Sequence, residues 1–318
     1  MSLTTECGTR WSVHPVVLAS LLIASCSGDA ETPASVDPPS DETAPTTLAI
    51  SADLFNGSVS FLDLDALVAS DGTRDDALVE RVQLAPPDQQ GPLTVAVTAD
   101  GARAVVLLSQ GVLAFVGGRF AVDTDALPST GSGVVILDLD TRHVLAEFPT
   151  KDLPIMVAID DRLDRAFVSL FGGADTNGSV AVYDLDTLEE VERVKVAPFV
   201  EGLALNDAGT RGAVIGATAG LYLFDPANLS GSLSDTPLHL ADDSSGVAFI
   251  SGTERVVVAN SRNPSNYVVV DASDLDAPRV IDEGPGLDAT PFMVTAVPNR
   301  QEVVLPLSRN DSLRVLHL

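Results

Sequence analysis

Six polar residues are the strongest candidates for chemistry, because each stands at or just before the start of an apolar segment. They are Gln90, Asp152, Glu201, Asp243, Asp288 and Thr290, with Ser245 two residues after the fourth. If these segments converge in space, the side-chain oxygens meet in one place, and several such oxygens are the ligand set that Ca²⁺ takes. The simpler alternative is a ring of acidic and polar side chains around a water-filled opening, which needs no ion.

A second acidic pattern closes apolar segments with Asp-Leu-Asp, at residues 63–65, 138–140 and 184–186. Aspartate at the end of a strand accepts hydrogen bonds from the backbone amides that come after it, and this favours a turn. The pattern therefore predicts turns that the repeat places at equivalent positions, and turn chemistry explains it more simply than a metal site does.

Catalytic motifs are missing from the sequence, which has no His-Glu-x-x-His, no Walker loop and no Gly-x-Ser-x-Gly elbow. Gly284-Pro285-Gly286 lacks the third glycine of a dinucleotide loop. By the register of the repeat described below, His143, His239 and His317 fall in or near third or outer strands, far from the axis. A hydrolytic triad has no credible base here, so we expect no cofactor, with Ca²⁺ as the one ion that the oxygen set would suit.

The elements that must position these residues form a repeat. Its first strand has a small central residue, as in Val95-Ala96-Val97, Val157-Ala158-Ile159 and Leu203-Ala204-Leu205, and a turn and two more apolar strands come next. The third strand closes on Asp in most units, and after Asp138 these closing positions recur every 41 to 46 residues. A period of this length without helical periodicity predicts an all-β fold, a β-propeller of four-stranded antiparallel blades over residues 47–318. Six closing positions predict six blades, with seven as the alternative.

The burial expected of each strand depends on this geometry. First strands converge on the axis, where only a small side chain leaves room, and middle strands lie between neighbouring blades. Residues Val191 to Val196 alternate apolar and charged side chains, as a half-exposed fourth strand does. An insertion around residues 111–130 predicts an extra hairpin over Val112 to Val122. The first unit lacks a first strand and the last unit lacks a fourth.

The repeat resembles the YVTN-type β-propeller family, whose unit is Pro-x-apolar-Ala-apolar followed by Asp or Asn and Gly. Pro154 to Ile159 with Asp160, and Gly91 to Gly101, match this unit best, and Val257-Val258-Ala259-Asn260 approximates the motif that names the family. The resemblance implies the fold. It leaves the activity open, because such families include surface, scaffold and binding proteins and also lactonase-like hydrolases.

The first 25 residues resemble a bacterial lipoprotein signal peptide. Val16 to Ser25 is an apolar run too short to span a bilayer, and Ile23-Ala24-Ser25-Cys26 is similar to a lipobox. The resemblance implies a lipid on Cys26 and an anchor in the bacterial cell envelope, with the outer membrane favoured because Ser27 is the next residue. The alternative is a core cysteine at the end of a buried strand. Residues 26–46 are rich in Pro, Ser, Thr and acidic side chains, which predicts a disordered tether.

Charge narrows the choice of partners. The chain has 18 Lys and Arg against 45 Asp and Glu, a net charge of −27, so nucleic acid is excluded as a partner. We expect a monomer that contacts the membrane only through its lipid. We also expect a non-catalytic platform that binds an envelope protein or a small molecule. The alternative is a lactonase-like hydrolase with a metal at the channel mouth and carboxylates such as Glu201 and Asp288.

Overall fold

The computed structural model describes the chain in ten stretches, which exclude the signal segment, Cys26, the tether and the expected Val112–Val122 hairpin. They are residues 47–69, 77–86, 91–110, 131–173, 175–240, 243–261, 266–287, 290–291, 293–308 and 312–318.

Strands dominate these stretches and form six antiparallel sheets, numbered here in chain order. Sheets 1 and 2 contain β1 (Leu48–Asp53), β2 (Ser58–Asp63), β3 (Leu78–Gln83) and then β4 (Pro92–Val97), β5 (Arg103–Leu108), β6 (Gly133–Asp138), β7 (Val144–Pro149). Sheets 3 and 4 contain β8 (Leu153–Asp160), β9 (Arg165–Phe171), β10 (Ser179–Asp184), β11 (Glu189–Lys195) and then β12 (Val200–Leu205), β13 (Gly212–Gly216), β14 (Gly220–Phe224). Sheets 5 and 6 contain β15 (Ser244–Phe249), β16 (Arg255–Asn260), β17 (Asn266–Asp271), β18 (Arg279–Glu283) and then β19 (Thr290–Pro291), β20 (Thr295–Ala296), β21 (Glu302–Ser308), β22 (Ser312–His317).

Each sheet is built from consecutive strands, and successive sheets touch along their first strands. The contacts run in chain order, from β1 to β4, β4 to β8, β8 to β12, β12 to β15 and β15 to β20. Repeated antiparallel sheets that pack side by side in this order form a β-propeller-like fold. The all-β prediction and the four-stranded antiparallel unit are therefore confirmed, the full unit being present in sheets 2, 3 and 5.

The apolar core lies between neighbouring sheets. Side chains of β5 and β6 in sheet 2, such as Ile136, pack against Val168 and other residues of sheet 3, and a similar cluster joins sheets 4 and 5 around Val256. Every residue of β14 is buried, as a strand covered on both faces must be. The small residues of the first strands lie in these interfaces, where Ala96 and Ala248 are buried and Ala158 and Ala204 are half-buried.

Glycine at residue 57 fits the turn that joins β1 to β2. Its φ is +62°, and a Cβ there would lie 2.5 Å from the carbonyl oxygen of Ala85. The connection from β9 to β10 needs glycine at residue 178 for a different reason. Gly178 has no positive φ, but a Cβ there would lie 2.4 Å from the carbonyl oxygen of Leu170. Close packing of two backbones, rather than turn geometry, therefore selects glycine at residue 178.

Three sheets depart from the full unit. Among the described residues, sheet 1 has no first-position strand, because β2 closes on Asp63 and β1 is the one described strand before it. A helix, α1 (Leu64–Ala69), comes directly after β2.

In sheet 4 a 3-10 helix (Pro226–Asn228) and α2 (Leu229–Ser232) take the place of a fourth strand. In sheet 6 the first strand is split into β19 and β20, both paired with β21, and β22 ends the described chain. In the residues that the structure describes, the strand positions missing from the first and last units are those that the sequence predicts.

Candidate functional site

The candidate polar residues that the structure describes lie at one rim, where first-position strands begin. Asp152 directly precedes β8, Glu201 is the second residue of β12, and Asp243 directly precedes β15. Since β8, β12 and β15 are neighbours that run in the same direction, their starts lie at the same edge of the fold. We call this edge the entry rim. Thr290 begins β19 at the same rim, whereas Gln90 and Asp288 lie outside the described residues.

Burial separates these side chains. Glu201 is 3% exposed and Asp243 is 9% exposed, whereas Asp152 and Thr290 are half-buried. Asp243 has a φ of +66°. Its backbone amide donates to the carbonyl of Ala217 at 2.9 Å, and its own carbonyl accepts from the amide of Ser261 at 2.9 Å. The backbone at Asp243 is thus fixed between sheets 4 and 5.

Hydroxyl groups from one sheet donate to backbone carbonyls of the next at this rim. Thr94 Oγ1 lies 2.9 Å from the carbonyl oxygen of Ile155, and Ser109 bonds that of Pro154. Ser169 Oγ bonds the carbonyl oxygen of Glu201 at 2.8 Å and also accepts from the amide of Met156 at 3.0 Å. These buried bonds hold the first strands of sheets 3 and 4 in place.

A hydroxyl of sheet 5 bonds a backbone carbonyl of sheet 6 in the same way. Ser261 Oγ lies 3.1 Å from the carbonyl oxygen of Pro291 in sheet 6 and 2.8 Å from Ser245 Oγ. Sequence reasoning placed Ser245 at the rim but missed the donors Thr94, Ser109, Ser169 and Ser261. The three serine donors, Ser109, Ser169 and Ser261, stand at or near the end of the second strand of a unit. A serine at that place in an otherwise apolar strand is the sequence signal that could have identified them.

Four of the six residues predicted as calcium ligands are among those that the structure describes. Within the described ranges, no group of three or more His, Cys, Asp or Glu side chains is arranged to hold a metal ion. Two of the six proposed oxygen donors, Gln90 and Asp288, fall outside those ranges. Calcium at the entry rim therefore stays a prediction.

The aspartates that close third strands make the turns expected of them. Asp138 Oδ1 accepts from the amide and the hydroxyl of Thr141, both at 2.7 Å. Asp184 Oδ1 accepts from the amides of Asp186 at 3.0 Å and Thr187 at 2.8 Å. Such bonds favour the ionised form, so the pKa of each carboxyl lies below its ordinary value. The turn interpretation of the Asp-Leu-Asp pattern is confirmed at these two positions.

Asp271 has the strongest shift of this group. It accepts from the hydroxyl of Ser273 at 2.7 Å, and Arg279 Nη2 lies 2.9 Å from its other oxygen. The hydroxyl bond first, then the guanidinium, lowers the pKa of Asp271 to about 2.

The opposite rim, where first strands end, is joined by exposed carboxylates. Asp207 Oδ2 of sheet 4 accepts from Ser251 Oγ at 2.6 Å and from the amide of Gly252 at 2.8 Å, both in sheet 5. Asp161 Oδ1 of sheet 3 accepts from the amide of Ala99 in sheet 2 at 2.6 Å. The two rims thus use different groups, buried hydroxyls at the entry rim and exposed carboxylates at the other.

Comparison with known proteins supports the fold alone. No protein-family model matches the chain, and no curated protein matches it. Among solved structures, the chain is similar to hydrazine synthase of Kuenenia stuttgartiensis, at 13% identity and a TM-score of 0.64, over 85% of this chain and 80% of that one. It is also similar to a functionally unknown protein from Desulfotomaculum acetoxidans DSM 771, at 14% identity and a TM-score of 0.61, over 85% and 78% of the chains.

A third similar structure is that of U3-55K, at 13% identity and a TM-score of 0.57, over 85% of this chain and 73% of that one. At these identities the three structures share an architecture and carry no activity over to this chain. In the part of the chain that the structure describes, no helix is long and apolar enough to cross a membrane.

Proposed function

We propose that this chain is a lipid-anchored cell-envelope β-propeller that binds a protein or a small molecule and carries out no chemistry of its own. The proposal combines the lipobox-like Ile23-Ala24-Ser25-Cys26, the tether over residues 26–46 and a domain with a polar rim. In this proposal the repeat belongs to the YVTN type and each of the six sheets is one blade. The six closing positions in the sequence support six blades over seven.

The observation that carries the binding proposal is the construction of the entry rim. Polar side chains from successive sheets gather there, and hydroxyl-to-carbonyl bonds fix the strands that carry them. A surface ordered before its ligand arrives loses less conformational entropy on binding. Glu201 and Asp243 lie on neighbouring strands with little exposure, so they suit a ligand group that donates hydrogen bonds from inside the opening.

The anchor is tested by Cys26→Ser in the full chain. A serine offers no thioether, so fatty-acid labelling should vanish and the protein should leave the membrane fraction. Labelling that persists in the variant contradicts the lipobox.

The rim is tested by Glu201→Gln and Asp243→Asn, with Asp276→Asn on an exposed turn as the matched control. Partners captured from envelope membranes by the tethered protein should fall with either rim variant and stay unchanged with the control. The same proteins are assayed against a panel of lactones with and without Ca²⁺. Lactone turnover by the wild-type protein that Glu201→Gln removes would replace the platform with the hydrolase.

A further inference from the structure

The outer edge of β22 corresponds to a strand edge that is covered in the other sheets. In sheets 1, 2, 3 and 5 the strand that closes the unit pairs with a fourth strand, as β10 pairs with β11. In sheet 4 the edge of β14 is bridged at Leu221 by Leu238, with backbone bonds of 2.8 and 3.0 Å. Among the described strands, β22 pairs with β21 alone. Its other edge therefore offers backbone donors and acceptors to an added strand.

The sheet face beside this edge is also uncovered. Leu313 is 69% exposed and Val315 is 47% exposed, whereas Leu221 and Leu223, at the equivalent positions of β14, are fully buried against sheet 5. Beside them on β21, Pro306 is exposed opposite Leu313. An apolar face of this kind next to an open strand edge is what a β-strand from another chain requires.

The chain itself shows which sequence fits beside a closing strand. Val-Glu-Arg-Val occurs in β3 as Val79 to Val82 and in β11 as Val191 to Val194. β18 is similar, with Val280 and Ile281 beside charged residues. The segment for this position is thus extended, with β-branched apolar residues among charged ones.

One residue of β22 selects the charge that such a segment needs. Opposite the residue three positions before the closing one, the fourth strand carries arginine in two sheets and glutamate in two: Arg81 opposite Ser60, Arg193 opposite Ala181, Glu147 opposite Val135 and Glu283 opposite Val268. Ser60 and Ala181 each stand three residues before the residue that closes their strand. The residue at that position in β22 is Arg314. An arginine opposite Arg314 would be repelled, so the fitting segment carries a carboxylate there.

We propose that β22 binds an extended segment of a partner protein, which adds antiparallel to its outer edge with an acidic residue opposite Arg314. This surface is separate from the entry rim, and its test does not depend on the rim or on the lipid. The −27 charge of the chain repels acidic peptides as a whole, so a preference for the acidic segment would have to come from Arg314 locally.

Two peptides with blocked ends test the proposal by fluorescence anisotropy on the full chain. One is the β11 sequence Glu-Glu-Val-Glu-Arg-Val-Lys, and the other has Glu in place of its Arg. The acidic peptide should bind about fivefold more tightly, the upper range for one exposed ion pair. With Arg314→Glu the order should reverse, and circular dichroism confirms that this variant is folded. An unchanged order, or no binding of either peptide, overturns the proposal.

Backbone pairing is tested with N-methyl groups on the acidic peptide. Methylation of alternate amides on the edge that faces β22 should abolish binding, whereas methylation on the other edge should leave it. Equal binding of both methylated peptides means adsorption on the apolar face and overturns strand addition.

Two other segments could cover the outer edge of β22, and each predicts a different experimental result. If the peptide binds only after residues 27–46 are deleted, the chain's own N-terminal segment covers the edge. If the chain sediments as a dimer that the peptide does not dissociate, a second copy covers it. Either result overturns the partner proposal. A rim variant such as Glu201→Gln should bind the peptide as the wild-type chain does, so the two proposals fail separately.

Discussion

Within the described ranges neither sheet 4 nor sheet 6 has a fourth strand, and the strands that close them differ in burial. Every residue of β14 is buried, whereas only Leu316 is buried in β22. The cause is packing on both faces of β14, where Leu221 and Leu223 pack against sheet 5 and Phe224 packs with Leu229 against sheet 3. After this strand the chain turns through a 3-10 helix and α2, and Leu229 of α2 is fully buried. Equivalent positions of one repeat are therefore buried or exposed according to their neighbours.

The backbone edge of β14 is closed by serine side chains as well as by Leu238. Ser232 Oγ accepts from the amide of Asp225 at 2.7 Å, and Ser234 Oγ accepts from the amide of Leu223 at 3.2 Å. These bonds satisfy amides that a fourth strand would otherwise pair. In the described residues β22 has no corresponding cover, which is why we assign it a binding role.

The largest expected effect comes from one substitution made at equivalent positions of the two strands. Leu221→Ala should destabilise the fold by about 2–5 kcal/mol, because a fully buried leucine leaves a cavity. Leu313→Ala should change the free energy of unfolding by about 0.5 kcal/mol or less, because Leu313 is mostly in water. Urea unfolding of both variants measures the difference. Similar losses would show that Leu313 is covered in solution.

A smaller loss is expected where sheet 3 is bonded to sheet 4. Ser169→Ala removes the buried bond to the Glu201 carbonyl and the partly buried bond from the Met156 amide, and should cost about 1–3 kcal/mol. Ser230→Ala in α2 is the control, because Ser230 is exposed and bonds Glu192 through its backbone amide. If both variants unfold at the same urea concentration, the rim hydroxyls do not stabilise the connection between the sheets.

Ser232→Ala in the segment that covers β14 should lower the free energy of unfolding by about 0.5–1.5 kcal/mol, because it removes the partly buried bond from the Asp225 amide and an exposed bond to the Asn228 carbonyl. Hydrogen exchange gives the local measurement, because the Asp225 amide should exchange faster in the variant while amides of β10 keep their rates. Unchanged exchange at Asp225 would mean that the helices alone protect this edge.

Acid should weaken the turn that follows β17, because it protonates Asp271. Because the pKa of Asp271 is lowered to about 2 in the fold, its ionised form stabilises the native state. That contribution is present above the ordinary pKa of Asp, near 4, and is lost as the pH falls to about 2. Ser273→Ala should raise the pKa of Asp271, measured by NMR of its carboxyl carbon. A titration midpoint that stays near 2 would contradict the hydroxyl as the main cause.

The smallest effect is expected at the position that closes β22, where histidine replaces aspartate. His317 Nδ1 lies 3.0 Å from Glu302 Oε1 in an exposed contact. His317→Ala should change the free energy of unfolding by less than about 1 kcal/mol, as exposed ion pairs do. A larger loss in a urea titration would show that this end of sheet 6 is packed in solution.

The repeat in the sequence was enough to predict the all-β class and the order of strands, because period-two apolar segments and strand-ending aspartates are local signals. Asp138 and Asp184 make the turns they predicted through bonds to residues two or three positions away. Short-range chemistry of this kind depends little on the rest of the fold.

Other features depended on contacts between distant parts of the chain. Thr94 finds its acceptor 61 residues away at Ile155, and Ser169 finds one 32 residues away at Glu201. No local pattern shows that a serine in an apolar strand faces a carbonyl of the next sheet, because the packing of sheets sets that distance. Local sequence patterns are thus sufficient to select the segments that become strands, whereas packing between sheets selects which of them, such as β14 and β22, are covered.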